Sequence, residues 1–167
     1  VDLTANAGTS YLWSNGAQTQ TITVTTSGSY SVTVTNASGC STTSAAEAVT
    51  VNPLPTVAAI TGSPDVCVGS TTTLASSTTG GVWSTSDATV ADVSASGVVT
   101  GVSTGSATIT YTVTDGSGCT NSTSASVTVN ATPTATVTAS GATTFCAGGS
   151  VDLTANAGTS YLWSNGA

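Results

Sequence analysis

The chain has 167 residues, contains no Lys, Arg, His or Met, and carries a net charge of −7 from seven carboxylates. This charge disfavours electrostatic binding to nucleic acid or to anionic lipid. Without His or Lys the usual general bases and Schiff-base nucleophiles are absent, so we expect neither catalysis nor a cofactor. No apolar run approaches the roughly 20 residues that a membrane-spanning helix needs.

The chain begins and ends on the same seventeen residues, VDLTANAGTSYLWSNGA, at Val1–Ala17 and again at Val151–Ala167. Identity over this length predicts a tandem repeat with a period of 150 residues. On this interpretation Val1 is not a biological start and Ala167 is not a biological end. The first partners of the chain would then be adjoining copies of the same repeat.

Apolar and polar residues alternate with a period of two over much of the chain, as in half-buried antiparallel strands. Ser-Gly, Asn-Gly and Asp-Gly turns separate the alternating segments. No segment has an apolar period of 3.6 residues, and three Trp argue against a disordered Ser/Thr-rich stalk. We therefore predict an all-β chain. The alternating segments are Thr21–Thr25, Tyr30–Thr35, Ala107–Val113, Ser126–Asn130 and Thr134–Thr138.

A weaker repeat divides the period into two antiparallel β-sandwich modules. Each half opens with Pro-Thr and a short strand, passes a Cys, a Leu-containing strand and a Trp, and closes with an SGC turn and a VTVN strand. The predicted segments are residues 1–52, a first module that lacks its first strand, residues 53–131, a second module, and residues 132–167, the start of the next copy of the first. Short Pro-containing joints predict a rod-like array.

The aromatic residues allow two interpretations. Trp13 and Trp83 fall at matching positions of the two modules, which favours core tryptophans, and Tyr30 at the start of a strand is also expected to pack inside. The alternative is that Trp13, with Tyr11 two residues before it on the same strand face, stacks on sugars. Phe145 is expected to close one end of a module.

The four cysteines indicate an oxidising, extracellular setting, because they lack metal-ligand spacing and sit in a small-cored β chain. One interpretation pairs Cys67 with Cys119 inside the second module and leaves Cys40 and Cys146 to pair with cysteines of adjoining repeats. The other interpretation links Cys67 to the hairpin of the following module, because the two turns lie at opposite ends of an ordinary sandwich.

The carboxylates are expected to lie in turns rather than to form a metal site. Asp87 is expected to cap the turn after Trp83, and Asp92 to be solvated. Calcium between modules remains an alternative, but neither joint carries an acidic residue, and no metal site is predicted. Three glycosylation sequons, at Asn36, Asn121 and Asn130, are typical of a Ser/Thr-rich chain and establish no modification.

Two resemblances follow from these residues. GVWSTSDATVADVSASGVVTGVSTGSATITYTV, at Gly81–Val113, resembles the group 2 bacterial immunoglobulin-like (Ig-like) family. YLWSNGAQTQTITVTTSGSYSVTVTNASGC, at Tyr11–Cys40, resembles the PKD-like or Ig-like repeats of large Bacteroidetes surface proteins, such as gliding-motility adhesins and other type IX secretion substrates. These resemblances imply tandem Ig-like sandwiches, a cell-surface or extracellular location and an adhesive or scaffolding role.

Two functions are compatible with this sequence. The first is a structural repeat of a long extracellular filament or adhesin that supplies reach, stiffness and protease resistance, with chains that bundle laterally because few charges keep them apart. The second is a module that binds surface glycans directly. No interaction with nucleic acid and no membrane span is expected.

Overall fold

The computed structural model describes residues 1–166, and Ala167, the last residue of the repeated segment, lies outside the described residues. All regular structure in residues 1–166 is β-strand, as predicted from the alternation. No helix long and apolar enough to cross a membrane occurs in this part of the chain. The cores consist of Val, Ile, Leu and Ala with a few aromatic residues, because the Thr and Ser of each strand face outward.

Seven short strands form the first module. β1 pairs antiparallel with β3, β2 with β5, β5 with β6, and β4 with β7. The alternating segment Tyr30–Thr35 was predicted as one strand, but it divides at Ser31, and its two parts pair with different strands. The strands are β1 Asp2–Thr4, β2 Ser10–Trp13, β3 Thr21–Thr23, β4 Gly28–Tyr30, β5 Val32–Thr35, β6 Ser41–Thr43 and β7 Glu47–Val49.

Two sheets form the second module, with strand orders β10-β13-β14-β8 and β11-β12-β9. β10 pairs antiparallel with β13, and β12 pairs antiparallel with both β11 and β9. β8 pairs in parallel with the last residues of β14. The module is an antiparallel β-sandwich, since both sheets contribute to one core. The strands are β8 Asp65–Cys67, β9 Thr71–Thr73, β10 Val82–Thr85, β11 Ala91–Val93, β12 Val98–Gly101, β13 Gly105–Thr114 and β14 Thr120–Asn130.

The last part of the chain forms one antiparallel pair, β15 (Val137–Ala139) with β16 (Leu153–Ala155). The predicted strand Thr134–Thr138 therefore begins and ends later than expected. The sequence of β1, Asp2–Thr4, recurs at 152–154, and β16 begins one residue later in this repeat than β1 does. β15 thus pairs with the second occurrence of the sequence that forms β1.

The chain has two separate hydrophobic cores. The core of the first module is built on Ala5, Trp13, Ile22, Val24, Tyr30 and Val32. The core of the second is built on Val66, Leu74, Ala91, Val99, Ala107, Ile109, Val127 and Val129. By Cα proximity the chain also falls into two compact units, one of Val1–Val57 with Val113–Asn121, the other of Ala58–Thr112 with the described residues from Ser122 onward.

Candidate functional site

The two modules end on the same tetrapeptide, VTVN, but only the second module covers it with a neighbouring strand. There, Val129 and Asn130 of β14 lie beside Val66 and Cys67 of β8 in parallel register. In the first module the same letters span Val49–Asn52, β7 stops at Val49, and residues 50–52 belong to no strand. A strand equivalent to β8 is absent from the described part of the first module.

The burial of the valines follows from this difference. Val127 and Val129 expose 0% and 2% of their surface, whereas Val51, the counterpart of Val129, exposes 45%. Val66 of β8 contributes to the same core and exposes 5%. Identical sequences therefore differ in burial because β8 lies beside Val129, whereas no equivalent strand lies beside Val51 in the described residues.

An open groove of about 700 Å³ lies in the first module between the segment after β1 and the strands β6 and β7. Its apolar lining includes the core side chains Trp13, Tyr30 and Val32 together with Leu3 and Val34. Ser and Thr from β6 line the other side, and Glu47 is its single ionisable carboxylate. Such a surface suits an extended segment with alternating apolar and polar side chains.

The chain contains a segment of this kind. In Pro133–Ser150, the counterpart of the first strand of a module, Val137 and Phe145 expose 60% and 51% of their surfaces. Phe145 directly precedes Cys146, as buried Val66 precedes Cys67. The apolar side chains that a first strand would bury are exposed in this copy.

The two copies of the seventeen-residue segment show which structural features the local sequence determines. Gly8 N–H donates to the Tyr11 hydroxyl at 2.9 Å, and Gly158 N–H donates to the Tyr161 hydroxyl at 2.7 Å. Only the first copy forms β2, because only there does β5 supply a partner. The sequence therefore sets the turn, and tertiary pairing sets the strand.

The predicted core aromatics lie as follows. Trp13 exposes 5% of its surface and donates Nε1–H to Thr19 O at 2.8 Å, and Tyr30 exposes 9% and donates its hydroxyl to Thr26 O at 3.0 Å. Trp83 is half-buried, packs against the core of the second module, and its ring lies 4.6 Å from that of Tyr111. Trp13 thus packs in the core of the first module and also borders the groove described above.

Tyr111 is a structural residue that sequence reasoning missed. Its hydroxyl accepts a hydrogen bond from Gly81 N–H at 2.8 Å and donates one to Thr78 O at 2.9 Å. The hydroxyl thereby ties the loop before β10 to β13. The phenol in an alternating strand predicted burial but gave no signal for these two partners.

The structure does not bring Cys67 and Cys119 together. Cys67 lies beside Asn130 at the end of β14, whereas Cys119 directly precedes Thr120 at its beginning. Eleven extended residues separate these positions by roughly 35 Å, far beyond the 4.4–6.8 Å between Cα atoms that a disulfide allows. All four thiols are unbonded, and this geometry disfavours the bond expected within the second module, which stays a prediction.

The carboxylates act locally in turns. Asp87 Oδ1 accepts hydrogen bonds from the Thr89 hydroxyl at 2.6 Å and from Thr89 N–H at 2.9 Å. These two bonds, the hydroxyl first, lower the pKa of the Asp87 carboxyl. Asp92 is exposed, and its Oδ1 accepts a bond from Val93 N–H. No group of three or more metal-ligating side chains occurs within residues 1–166.

Comparison with known proteins finds one family similar to part of the chain. Residues 45–124 match the family model of the bacterial Ig-like domain, group 2. The match begins before β7 and ends inside β14, somewhat earlier at both ends than the predicted module 53–131. Domains of this family are commonly extracellular or surface modules with structural or adhesive roles, and the family is non-catalytic. No curated protein matches the chain.

Proposed function

We propose that this chain is a structural repeat of a long extracellular filament or cell-surface adhesin, in which each copy completes the first module of the next. The observation that carries the proposal is the contrast between Val51 and Val129 in the same VTVN sequence, one 45% and the other 2% exposed. A first module that receives a β8-like strand would bury Val51 as Val129 is buried.

The repeat itself supplies the strand. In a tandem array, a copy of Pro133–Ser150 directly precedes each copy of Val1, because Val151 continues that segment with the sequence of Val1–Ala17. The exposed Phe145 would then enter the groove in the role that Val66 has in the second module. The proposed domain order is thus a first module of residues 133–150 with the next copy of 1–52, alternating with a module of residues 53–131.

The composition suits such a role. A chain without Lys or Arg offers no cleavage site to trypsin-like proteases, whether it is folded or unfolded. Continuous sandwiches joined by short Pro-containing segments supply length without long flexible linkers. The family match, with its surface modules, supports the extracellular location, and adjoining copies are the proposed partners.

A peptide of residues 133–150 with Cys146→Ser tests the proposal directly. Added to the 167-residue chain, it is expected to bind saturably and to protect the amides of Thr50 and Asn52 from hydrogen exchange, since Thr128 N–H, the counterpart of Thr50 N–H, donates to Pro64 O next to β8. The Val51 amide already donates to Ser27 Oγ at 2.8 Å and serves as an internal control. Occupation of the groove should also change the fluorescence of Trp13, which lines it.

Two peptide variants make the test specific. Phe145→Asp places a charge where the second module buries Val66, so this peptide should not bind. Thr144→Asp is the matched control, since the second module itself carries the exposed Asp65 at that position, and it should bind as the unmodified peptide does. Absence of binding, or equal binding by the Phe145→Asp peptide, would contradict the proposal.

A further inference from the structure

The SGC turns of the two modules have the same hydrogen bonds. In the first, Asn36 Oδ1 accepts from Ser38 N–H and Cys40 N–H, both at 3.0 Å. In the second, Asp115 Oδ1 accepts from the corresponding Ser117 N–H and Cys119 N–H, at 2.8 and 3.0 Å. Cys40 and Cys119 therefore hold equivalent positions at the hairpin of their modules.

The hairpin cysteine of the second module lies at the end of the first. Cys119 Sγ is 3.9 Å from the carbonyl oxygen of Asn52, the last residue of the first VTVN segment. The side-chain amide of Asn121 donates to Pro55 O at 2.8 Å and holds the same hairpin to the joint. The position of the Cys119 thiol is thus defined relative to Asn52.

The other cysteine of a module lies beside the equivalent asparagine of its own module. Cys67 is the register partner of Asn130, and Val68 N–H, one residue later, donates to Asn130 O at 2.9 Å. Cys146 is the counterpart of Cys67 in the first module, since both open an i to i+3 turn, to Gly149 N–H and Ser70 N–H respectively. A copy of Cys146 in a completed first module would therefore lie beside Asn52.

Cys119 and the copy of Cys146 would therefore both lie beside Asn52. We propose, on the basis of the tandem array proposed above, that a disulfide joins Cys119 to the copy of Cys146 five positions before Val1. By the repeat, Cys67 joins in the same way to the copy of Cys40 that follows Ala167. One carbonyl oxygen would lie near both partners, placing Cys119 Sγ within about 7 Å of the amide that follows the copy of Cys146, and side-chain rotation covers the remaining separation. Each module is thereby bonded covalently to the next.

The chemistry is thiol–disulfide exchange. An exchangeable disulfide, such as oxidised glutathione, accepts two electrons and two protons and leaves as two thiols, while the two cysteine sulfurs of the chain form one S–S bond. Cys119 is partly exposed, and Cys67 and Cys146 are exposed, so an oxidant can reach them. All four cysteines of each 150-residue period then form disulfides between neighbouring modules.

The test uses the full chain extended at its N-terminus by a copy of residues 133–150, with Cys146→Ser in the C-terminal copy. After oxidation by oxidised glutathione, chymotrypsin places the added cysteine and Cys119 on separate peptides. Cys40 and Cys67 stay together on a third peptide, because the single Leu between them, Leu54, precedes Pro55 and is not cleaved. Non-reducing mass spectrometry should recover the added cysteine linked to the Cys119 peptide. The link should persist in Cys40→Ser and Cys67→Ser variants and disappear in Cys119→Ser.

A link from the added cysteine to Cys40, a link between Cys67 and Cys119, or no link at all would overturn the proposal. Hydrogen exchange at Thr50, the counterpart of Thr128 whose amide donates to Pro64 O, separates this failure from that of the array in the same extended chain. Protection without the Cys119 link rejects the disulfide alone. An unprotected Thr50 rejects the completed module and, with it, the disulfide.

Discussion

At the scale of single residues, Val51 and Val129 form a matched pair for measuring what the absent strand contributes. Val129→Ala should destabilise the second module by about 1–3 kcal/mol, because it removes two methyl groups from a packed core. Val51→Ala should change the stability of the 167-residue chain by no more than about 0.5 kcal/mol, since the side chain is 45% exposed. Urea unfolding followed by tryptophan fluorescence measures both.

The extended chain provides the control for this pair. If a copy of residues 133–150 fills the groove, Val51→Ala should become as costly there as Val129→Ala is in the second module. A cost that is equal in the extended and unextended chains would mean that Val51 does not contact the added segment.

The hydrogen bonds at Asp87 predict a pH dependence. Its folded-state pKa is lowered by the Thr89 hydroxyl and amide, so the stabilisation is complete above the pKa of an unfolded aspartate and is lost as the pH falls through the lower folded value. Thr89→Val should raise this pKa back toward its ordinary value, while Thr89→Ser, which keeps the hydroxyl, should not. Carboxyl ¹³C shifts of Asp87 followed against pH distinguish the two variants.

At the scale of elements, the hairpins show what the sequence predicts and where it misleads. The Asp-Gly pair at Asp115-Gly116 predicts a turn, yet the residue with positive φ is Gly118, at 80°. The Asp115 carboxylate accepts the amides of Ser117 and Cys119, which shapes a longer loop and moves the left-handed position by two residues. Asn36 and Gly39 repeat the arrangement in the first module.

This difference gives a matched pair of glycine substitutions. Gly118→Ala should destabilise the second module by about 1–2 kcal/mol, because an L-residue is strained in the left-handed region. Gly116→Ala should be neutral or slightly stabilising, since its φ is not positive and a Cβ there meets nothing within 4 Å. Equal destabilisation by both, measured by thermal unfolding, would contradict this assignment of the turn.

Strand type was predictable from the sequence, whereas strand extent was not. Alternation of Val with Thr predicted β13 and the end of β14, because a period of two is a local property. The break at Ser31 depends on two different partner strands, and a single sequence does not reveal pairing. The segment from Ser41 to Asn52 also has one residue more than that from Thr120 to Asn130, which is typical of a bulge and accompanies the division into β6 and β7.

The candidate site depends on pairing in the same way. The sequence predicted that residues 1–52 lack a first strand, and that prediction rested on the order of motifs in the two halves. It did not predict the groove or the exposure of Val51, since both depend on which edge the first strand covers. Nor did it separate the two cysteine pairings, because the register of Cys67 with Asn130 is a property of the fold.

At the scale of the whole molecule, the chain carries both an open groove and a segment suited to fill it. The groove belongs to residues 3–47 and the segment to residues 133–150 of the same sequence. When the donor surface and the acceptor surface differ, successive copies associate head to tail and need not close into a ring. The 167-residue chain should therefore form chains of increasing length as its concentration rises.

Sedimentation velocity under reducing conditions measures this assembly without any contribution from disulfides. Phe145→Asp should leave the chain monomeric, because it removes the apolar side chain that enters the groove of the next copy, while Thr144→Asp should assemble as the unmodified chain does. A chain truncated after Thr132 keeps the groove but lacks the donor, so it should stay monomeric and bind the 133–150 peptide. Assembly that survives Phe145→Asp would show that copies associate through another surface, such as lateral sheet edges, and would favour bundling over head-to-tail joining.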